Sequence, residues 1–442
     1  MSRRFHPASR TALPALVVIA GLAAGCATTA PPAARPESVS AAPLRTWVEI
    51  GPEGAVARAI VTDPKASCPD VEIENDAVSR NYAMQVRSDR QPGFDVLVCE
   101  AILPQGIRSA SIAGIPLPLP PQELKKIAVI GDTGCRIKCD DDGKCDVQDC
   151  NDPREWPFAK VAAKVAKERP DVVIHVGDYH YREAACPADE QKKCGGSPFG
   201  DNWPAWQADF FAPAAPLLAA APWVAVRGNH EDCKRAGWGW FRFLDPGPVP
   251  AACNEDPEPY GVPLPSLQLL VLNTSAAGDE PAGYYTQAYE KLNELAKAST
   301  APSWLVSHHP LWALLQSKDQ LVGVTDELQQ DSGNNLDAKI RLVLAGHIHL
   351  FEALAFAPSP PRAPSVVAGM SGTTLDPPIE KKLVGQKIAD TTVSTASTTD
   401  EFAYAIFEPQ GTGWRMTVHD PEGKRVLVCE IEGVSLTCKK AG

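Results

Sequence analysis

Short, unbroken apolar runs punctuate the middle of the chain: Ile127-Ala128-Val129-Ile130, Val172-Val173-Ile174, Trp223-Val224-Ala225-Val226, Trp304-Leu305-Val306 and Leu342-Val343-Leu344. Runs of this length without polar alternation read as strands buried on both faces of a largely parallel sheet. Helical periodicity lies between them. Residues 158–169 form an amphipathic pattern started by Pro157 and stopped by Pro170-Asp171, and further helices fit 203–220 and 282–298. Before this region, residues 46–121 carry short strand-like runs such as 55–61 and 94–99, separated by turn residues, and a Pro-rich stretch at 115–121 closes them. Beyond His349 strands return over 351–356, 365–369, 404–407, 414–419 and 425–431, while the polar, Ser/Thr-rich segment 381–400 reads as an exposed loop. A βαβ half followed by a more antiparallel half implies an α/β fold. Two packed mixed β-sheets flanked by helices, an αββα sandwich over 122–442, are preceded by a small β module.

The last two strands make a sharper prediction. Gly433-Val434 suits a two-residue type II′ hairpin turn between 425–431 and 435–439. Counting outward from it, Glu432 faces Ser435, Ile431 faces Leu436, Glu430 faces Thr437 and Cys429 faces Cys438. That last pair falls on a non-hydrogen-bonded position, where Cα atoms approach to about 4.5 Å. The spacing lies inside the roughly 4.4–6.8 Å window of a disulfide, so Cys429–Cys438 is expected to be bonded.

The N-terminus reads as an export signal. Arg3, Arg4 and Arg10 precede a short apolar stretch at 12–24, which ends in Leu22-Ala23-Ala24-Gly25-Cys26 and resembles a bacterial lipoprotein signal. Residues 1–26 would be the signal peptide and 27–45, rich in Ala, Pro and Ser, a flexible tether. The chain is thus expected to be exported and held in the bacterial cell envelope by a lipid at Cys26, as a periplasmic or outer-membrane lipoprotein. Simple cleavage at the same place is the alternative. The anchor is the only membrane contact expected.

Thirteen cysteines fit an oxidising compartment, because setting Cys26 aside leaves an even number for up to six disulfides. Cys135, Cys139, Cys145 and Cys150 could instead hold zinc, but their spacing is not that of two CxxC knuckles. A net charge of −12 lacks the basic face of a nucleic-acid binder, so no nucleic acid is expected as partner.

Each apolar run ends in residues that ligate metals. The blocks are Gly131-Asp132-Thr133-Gly134, Gly177-Asp178-Tyr179-His180-Tyr181, Gly228-Asn229-His230-Glu231, His308-His309-Pro310 and Gly346-His347-Ile348-His349. Chemistry in open α/β sheets gathers at the carboxyl ends of strands. Carboxylates suit hard cations and imidazoles suit transition metals. His347 and His349, two apart on an extended segment, can face one centre. Asp178 is central enough to bridge two metals about 3.5–4 Å apart.

Together these blocks resemble the calcineurin-like metallophosphoesterase superfamily and, within it, the purple acid phosphatase type. The resemblance covers roughly 126–356. Most of the superfamily begins with Asp-x-His, whereas here the third position is Gly134; Tyr181 stands where purple acid phosphatases place a tyrosinate. The Ser/Thr phosphatases are a poorer match, since Tyr181-Arg182-Glu183 replaces their Asp-Arg-Gly.

The resemblance implies Asp132, Asp178, Tyr181 and His349 on metal one, and Asp178, Asn229, His308 and His347 on metal two. The pair would be Fe3+ with Fe2+, Zn2+ or Mn2+. Leu305 replaces a usual Val three residues before the histidine of the fourth block, and His308 is preferred to His309 by its His-x-Pro spacing. His230 would stand outside the metals as the catalytic acid or charge stabiliser. His309, His180 and Arg182 would contact substrate, with solvated loop residues as the alternative reading of all three. The implied reaction is in-line attack of a metal-bound hydroxide on a small phosphate monoester. A phosphodiesterase or nucleotide hydrolase, or a non-catalytic phosphate- or partner-binding relative, are the rivals. The nearly complete ligand set favours an enzyme.

Overall fold

The computed structural model describes residues 44–75, 79–140, 142–256, 258–318 and 320–442. The export signal, Cys26 and all but the last two residues of the expected tether lie outside them.

Side-chain alternation inside the apolar runs separates the layers of the sandwich. Ile127, Val129, Val172 and Ile174 point into the space between two sheets, while Ala128, Ile130 and Val173 point out to a helical layer with Phe158, Val161, Ala162 and Val165. The second sheet mirrors this arrangement. Leu269, Val271, Trp304, Val306, Leu342 and Leu344 face the first sheet, whereas Leu270, Leu272, Leu305 and Val343 pack on Ala288, Tyr289 and Leu292 of helix Thr286–Ala298. Burying both faces leaves little room for polar residues between the strand ends, which is why these segments read as continuous apolar runs.

The first sheet has eleven strands. Its parallel centre pairs Ile127–Ile130 with Val172–His175, then Trp223–Ala225 and Leu44–Gly51. Tyr404–Gln410 joins the other side of Ile127–Ile130 antiparallel and leads into three further antiparallel strands. Gly54–Val61, Leu97–Ile102 and Gln85–Ser88 extend the far edge. The N-terminal β module is thereby continuous with the sandwich. A four-stranded sheet built on Asp70–Glu74 and Ser109–Ile112 covers these strands over a separate core that includes Val48, Ala57, Ala59, Val71 and Ile112.

The second sheet is mixed: Leu267–Leu272, Ser303–Ser307, Ile340–Ala345 and Ser365–Ala368 run parallel, and beyond His349 the pairing turns antiparallel, as expected. Two local expectations need correction. The segment expected as a loop at 381–400 contains the strand Thr391–Thr399, paired antiparallel with Phe356 to Phe351. Only Thr391 and Val393 of that strand are buried, so it has no apolar run to announce it. The helix expected over 203–220 is broken into Trp203–Trp206, a wide turn Gln207–Phe211 and Ala215–Leu218. Pro213 and Pro216, which lack the amide proton a continuous helix needs, account for the break.

Six disulfides are formed among the described residues: Cys68–Cys99, Cys135–Cys150, Cys139–Cys145, Cys186–Cys194, Cys233–Cys253 and Cys429–Cys438. The four cysteines that could have held zinc are thus consumed. The final hairpin adopts the expected register, with Cys429 opposite Cys438 and their Cα atoms 4.0 Å apart. Such a density of disulfides indicates an oxidising compartment. No helix among the described residues is long and apolar enough to cross a membrane.

One core group makes stability depend on pH. Glu352 is buried in strand Phe351–Phe356, accepts a bond from Leu314 N at 3.0 Å, and has no cation beside it among the described residues. Burial pushes its carboxyl up to about 8. The folded chain therefore holds a proton that the unfolded chain releases near pH 4.3, and stability falls as pH rises from about 4.3 to 8, by at most ~1.4 kcal/mol per unit. Glu352→Gln is expected to remove this slope. Urea unfolding should show the variant gaining on the wild type between pH 5 and pH 8; a constant difference would contradict the buried-proton account.

Candidate metal centre

The strand ends converge because their loops interlock. Asp132 N donates to Gly177 O and Thr133 N to Asp178 O, both at 2.9 Å, tying the first block to the second. His347 N donates to both carboxylate oxygens of Asp132 at 3.2 Å. Asp132, Asp178 and His347 all occupy left-handed backbone, at φ of 54°, 60° and 72°. A non-glycine residue there costs about 1–3 kcal/mol, and such strain clusters at functional sites. The block glycines permit the close approach: a Cβ on Gly228 would lie 2.1 Å from Asp178 Oδ1, and one on Gly177 2.4 Å from His308 Nδ1.

Two groups of ligand atoms share Asp178. In the first, Tyr181 Oη donates to Asp178 Oδ2 at 2.8 Å and to Asp132 Oδ1 at 3.2 Å, and lies 2.9 Å from His349 Nε2. In the second, His308 Nε2 lies 3.1 Å from Asp178 Oδ2 and 3.0 Å from Asn229 Oδ1, which is also 3.1 Å from His347 Nδ1. His308 Nδ1 donates to Val176 O at 2.8 Å, fixing the ring so that Nε2 faces the centre. His309 lines the same cluster. Its ring sits 3.9 Å from that of His347, and one ring nitrogen from each of His308, His309 and His347 lies within 4.8 Å of the others.

Burial and the neighbouring charges set the ionisation of these groups. Asp132 and Asp178 are buried against each other. Burial and the neighbouring Asp178 charge push Asp132 well above the usual carboxylate range, while His308 and His230 outweigh burial and hold Asp178 low. Burial alone would push His308 down, yet the two carboxylates hold it up at about 9. His347 and His349 are driven down to about 3, first by burial and then by His308 and Arg136 respectively, so both are neutral imidazoles, the form that ligates. Converging carboxylates, a phenol, an amide oxygen and neutral imidazoles fit two metal ions.

Around this centre, His230 stacks on Tyr181 with ring centroids 3.9 Å apart. Its Nε2 is 3.9 Å from Asp178 Oδ2 and its Nδ1 is 2.6 Å from Glu183 Oε1. Glu183 is not among the site residues that the sequence points to. Its position two residues beyond Tyr181, on the same side of an extended segment, was the available signal. Arg136 places its guanidinium 5.1 Å from the Tyr181 ring centroid.

His180 and Arg182 do not reach the centre, contrary to the expectation that they contact substrate. His180 Nε2 lies 3.1 Å from Gly200 O. Arg182 Nε donates to Asp209 Oδ1 at 2.7 Å, and its guanidinium stacks over Trp156. Alternation along the segment explains both, because the neighbours of an inward-pointing Tyr181 must point away.

Comparison with known proteins agrees with this geometry. The family model for calcineurin-like phosphoesterases matches residues 125–351, which is just over half the chain and includes all five blocks. Among solved structures, the purple acid phosphatase PPD1 from yellow lupin (Lupinus luteus) seeds has a TM-score of 0.54 at 13% identity, covering 86% of this chain and 72% of that one. GAP50, the anchor in the inner membrane complex of Plasmodium, has a TM-score of 0.42 at 13% identity, over 73% of this chain and 90% of that one. No curated protein matches. A family match that starts at the first ligand-bearing strand and runs past the last ligand, on a purple-acid-phosphatase-type fold, places the chain in the calcineurin-like phosphoesterase family as a phosphoester hydrolase.

Proposed function

We propose that the chain is an exported acid-phosphatase-like enzyme that hydrolyses small phosphate monoesters at a two-metal centre. Asp132, Asp178, Tyr181 and His349 hold metal one; Asp178, Asn229, His308 and His347 hold metal two. The observation that carries the reading is the Tyr181 phenol, which lies 2.8 to 3.2 Å from both carboxylates and from His349. A phenolate is a hard anionic donor that compensates for the histidine missing at Gly134, and it suits Fe3+; the imidazole-rich second group suits Fe2+, Zn2+ or Mn2+. When bound, the metals supply Lewis-acid charge to the phosphate oxygens and lower the pKa of the attacking water.

The protein's own residues do the rest. His309 lies beside the second group and contacts a phosphate oxygen. His230 carries its reactive proton on Nε2, because Nδ1 is occupied by Glu183, and gives that proton to the leaving oxygen as the P–O bond breaks. Export is supported by the disulfides, with a lipid at Cys26 as the proposed anchor.

Metal analysis of the purified protein, alongside hydrolysis of an aryl phosphate monoester and the matching diester, tests the reading. Two metals per chain and faster monoester turnover are expected; preference for the diester would move the enzyme to the phosphodiesterases. If Tyr181 ligates Fe3+, the protein shows a visible charge-transfer band that Tyr181→Phe abolishes. An iron-loaded protein without colour would remove Tyr181 from the ligands while leaving the family assignment intact.

A further inference from the structure

The loop that carries Asp178 and Tyr181 donates five consecutive backbone amides to only two side chains. Glu231, from the third block, accepts from Asp178 N at 3.1 Å, Tyr179 N at 2.8 Å and His180 N at 3.0 Å. Asp209 accepts from Tyr181 N at 2.7 Å and Arg182 N at 3.0 Å. Both carboxylates are fully buried. Glu231 sits in a ligand block, whereas Asp209 belongs to none of the five.

Asp209 has one further partner that defines its role. Its Oδ1 accepts from Cys135 N at 3.0 Å, three residues after Asp132. One carboxylate therefore joins the backbone that carries Asp132 to the backbone that carries Tyr181. None of its hydrogen bonds involves the blocks of Asn229, His308 or His347. It is presented from Gln207–Phe211, a wide helical turn of the kind often found at functional sites. The charge is balanced by Arg182 at 2.7 Å, and Phe210 and Phe211 pack the turn in place.

We infer that Asp209 is the positioning residue for metal one, setting the distance between the Asp132 carboxylate and the Tyr181 phenol without touching either metal. The assignment rests on the two-metal reading of the centre. It differs from the role of Glu231, which fixes the backbone of the shared ligand Asp178 and so serves both metals. Substituting a residue that orients metal ligands typically lowers affinity about 10–100-fold.

The test is titration of the metal-free, full-length protein with Zn2+, following stoichiometry and affinity by calorimetry. Wild type should bind two equivalents. Asp209→Asn should hold one with wild-type affinity and bind the other about 10–100-fold more weakly. Adding Asp209→Asn to His349→Ala, which already lacks metal one, should change the remaining binding little. Adding it to Asn229→Ala should weaken what Asn229→Ala retains.

Equal weakening of both sites, or no weakening, would overturn the inference while leaving the two-metal reading standing. A wild type that binds fewer than two equivalents would instead remove the reading itself. Near-UV circular dichroism and the disulfide map monitor folding. Should the single variant misfold around an unpaired Arg182, Asp209→Asn with Arg182→Met removes that cation and goes through the same titration. If neither folds, Asp209 serves folding and the inference fails.

Discussion

Asp178→Ala is expected to abolish phosphoester hydrolysis and to strip both metals from the protein while leaving the fold in place. Its Oδ2 faces Tyr181 Oη at 2.8 Å and His308 Nε2 at 3.1 Å, and these are members of the two different ligand groups. No other side chain is common to both groups, so no neighbour can replace it. Removing one of two mutually repelling buried carboxylates relieves the strain that pushes Asp132 up. Against that gain, the left-handed backbone at φ 60° costs an Ala about 1–2 kcal/mol, without the local hydrogen bonds that help Asp adopt it. The scaffold absorbs such a loss, since Asp178 is in no hydrophobic core cluster and each of six disulfides contributes typically ~2–4 kcal/mol. Metal analysis, an aryl phosphate assay and near-UV circular dichroism together check the expectation. Wild-type turnover in this variant would sink the assignment of the centre.

The parts of this molecule that can be read before folding are those in which one physical demand acts on every residue of a segment. Ile127–Ile130 and, beyond the exposed Arg341, Leu342 to Ala345 are buried on both faces, so their burial is written into each position. Thr391–Thr399 satisfies only the backbone ladder of its neighbour and buries two side chains, leaving a composition that a loop could share. The interruption between Phe211 and Ala215 is written in Pro213 and Pro216, although the apolar richness of 203–220 masks it. At the centre, the ligands stand out because strand ends, glycines and donor types coincide. Supporting residues carry no such marks. Glu183, Asp209 and Arg136 act through a distance of a few ångströms that only the folded chain sets. Proximity in sequence misled in the opposite direction at His180 and Arg182, where side-chain direction decides.

His230→Ala is expected to lower turnover by about 10²–10⁴-fold with both metals still bound. The retention of metal follows from which atoms the substitution removes. The link from this residue to Asp178 is a backbone bond, His230 N to Oδ1 at 2.9 Å, and survives the loss of the ring. The ring itself makes no contact shorter than 3.9 Å with a ligand carboxylate, so its removal deletes the proton donor and the packing on Tyr181 but takes no ligand atom from either metal. The same variant carries a pH signature. Burial lowers the His230 pKa, and the charges of Asp178 and Glu183 offset only part of that, leaving it below the ordinary 6.5. The protonated, donating form is therefore available on the acid side, and wild-type activity should decline as pH rises through that lowered value. His230→Ala should flatten this limb. Glu183→Gln, which keeps the imidazole but withdraws the charge at 2.6 Å, should shift the limb to lower pH, because the imidazolium loses a stabilising partner. Loss of metal from His230→Ala with unchanged activity per bound metal would show that the ring serves the metal centre and that the leaving oxygen takes its proton from elsewhere.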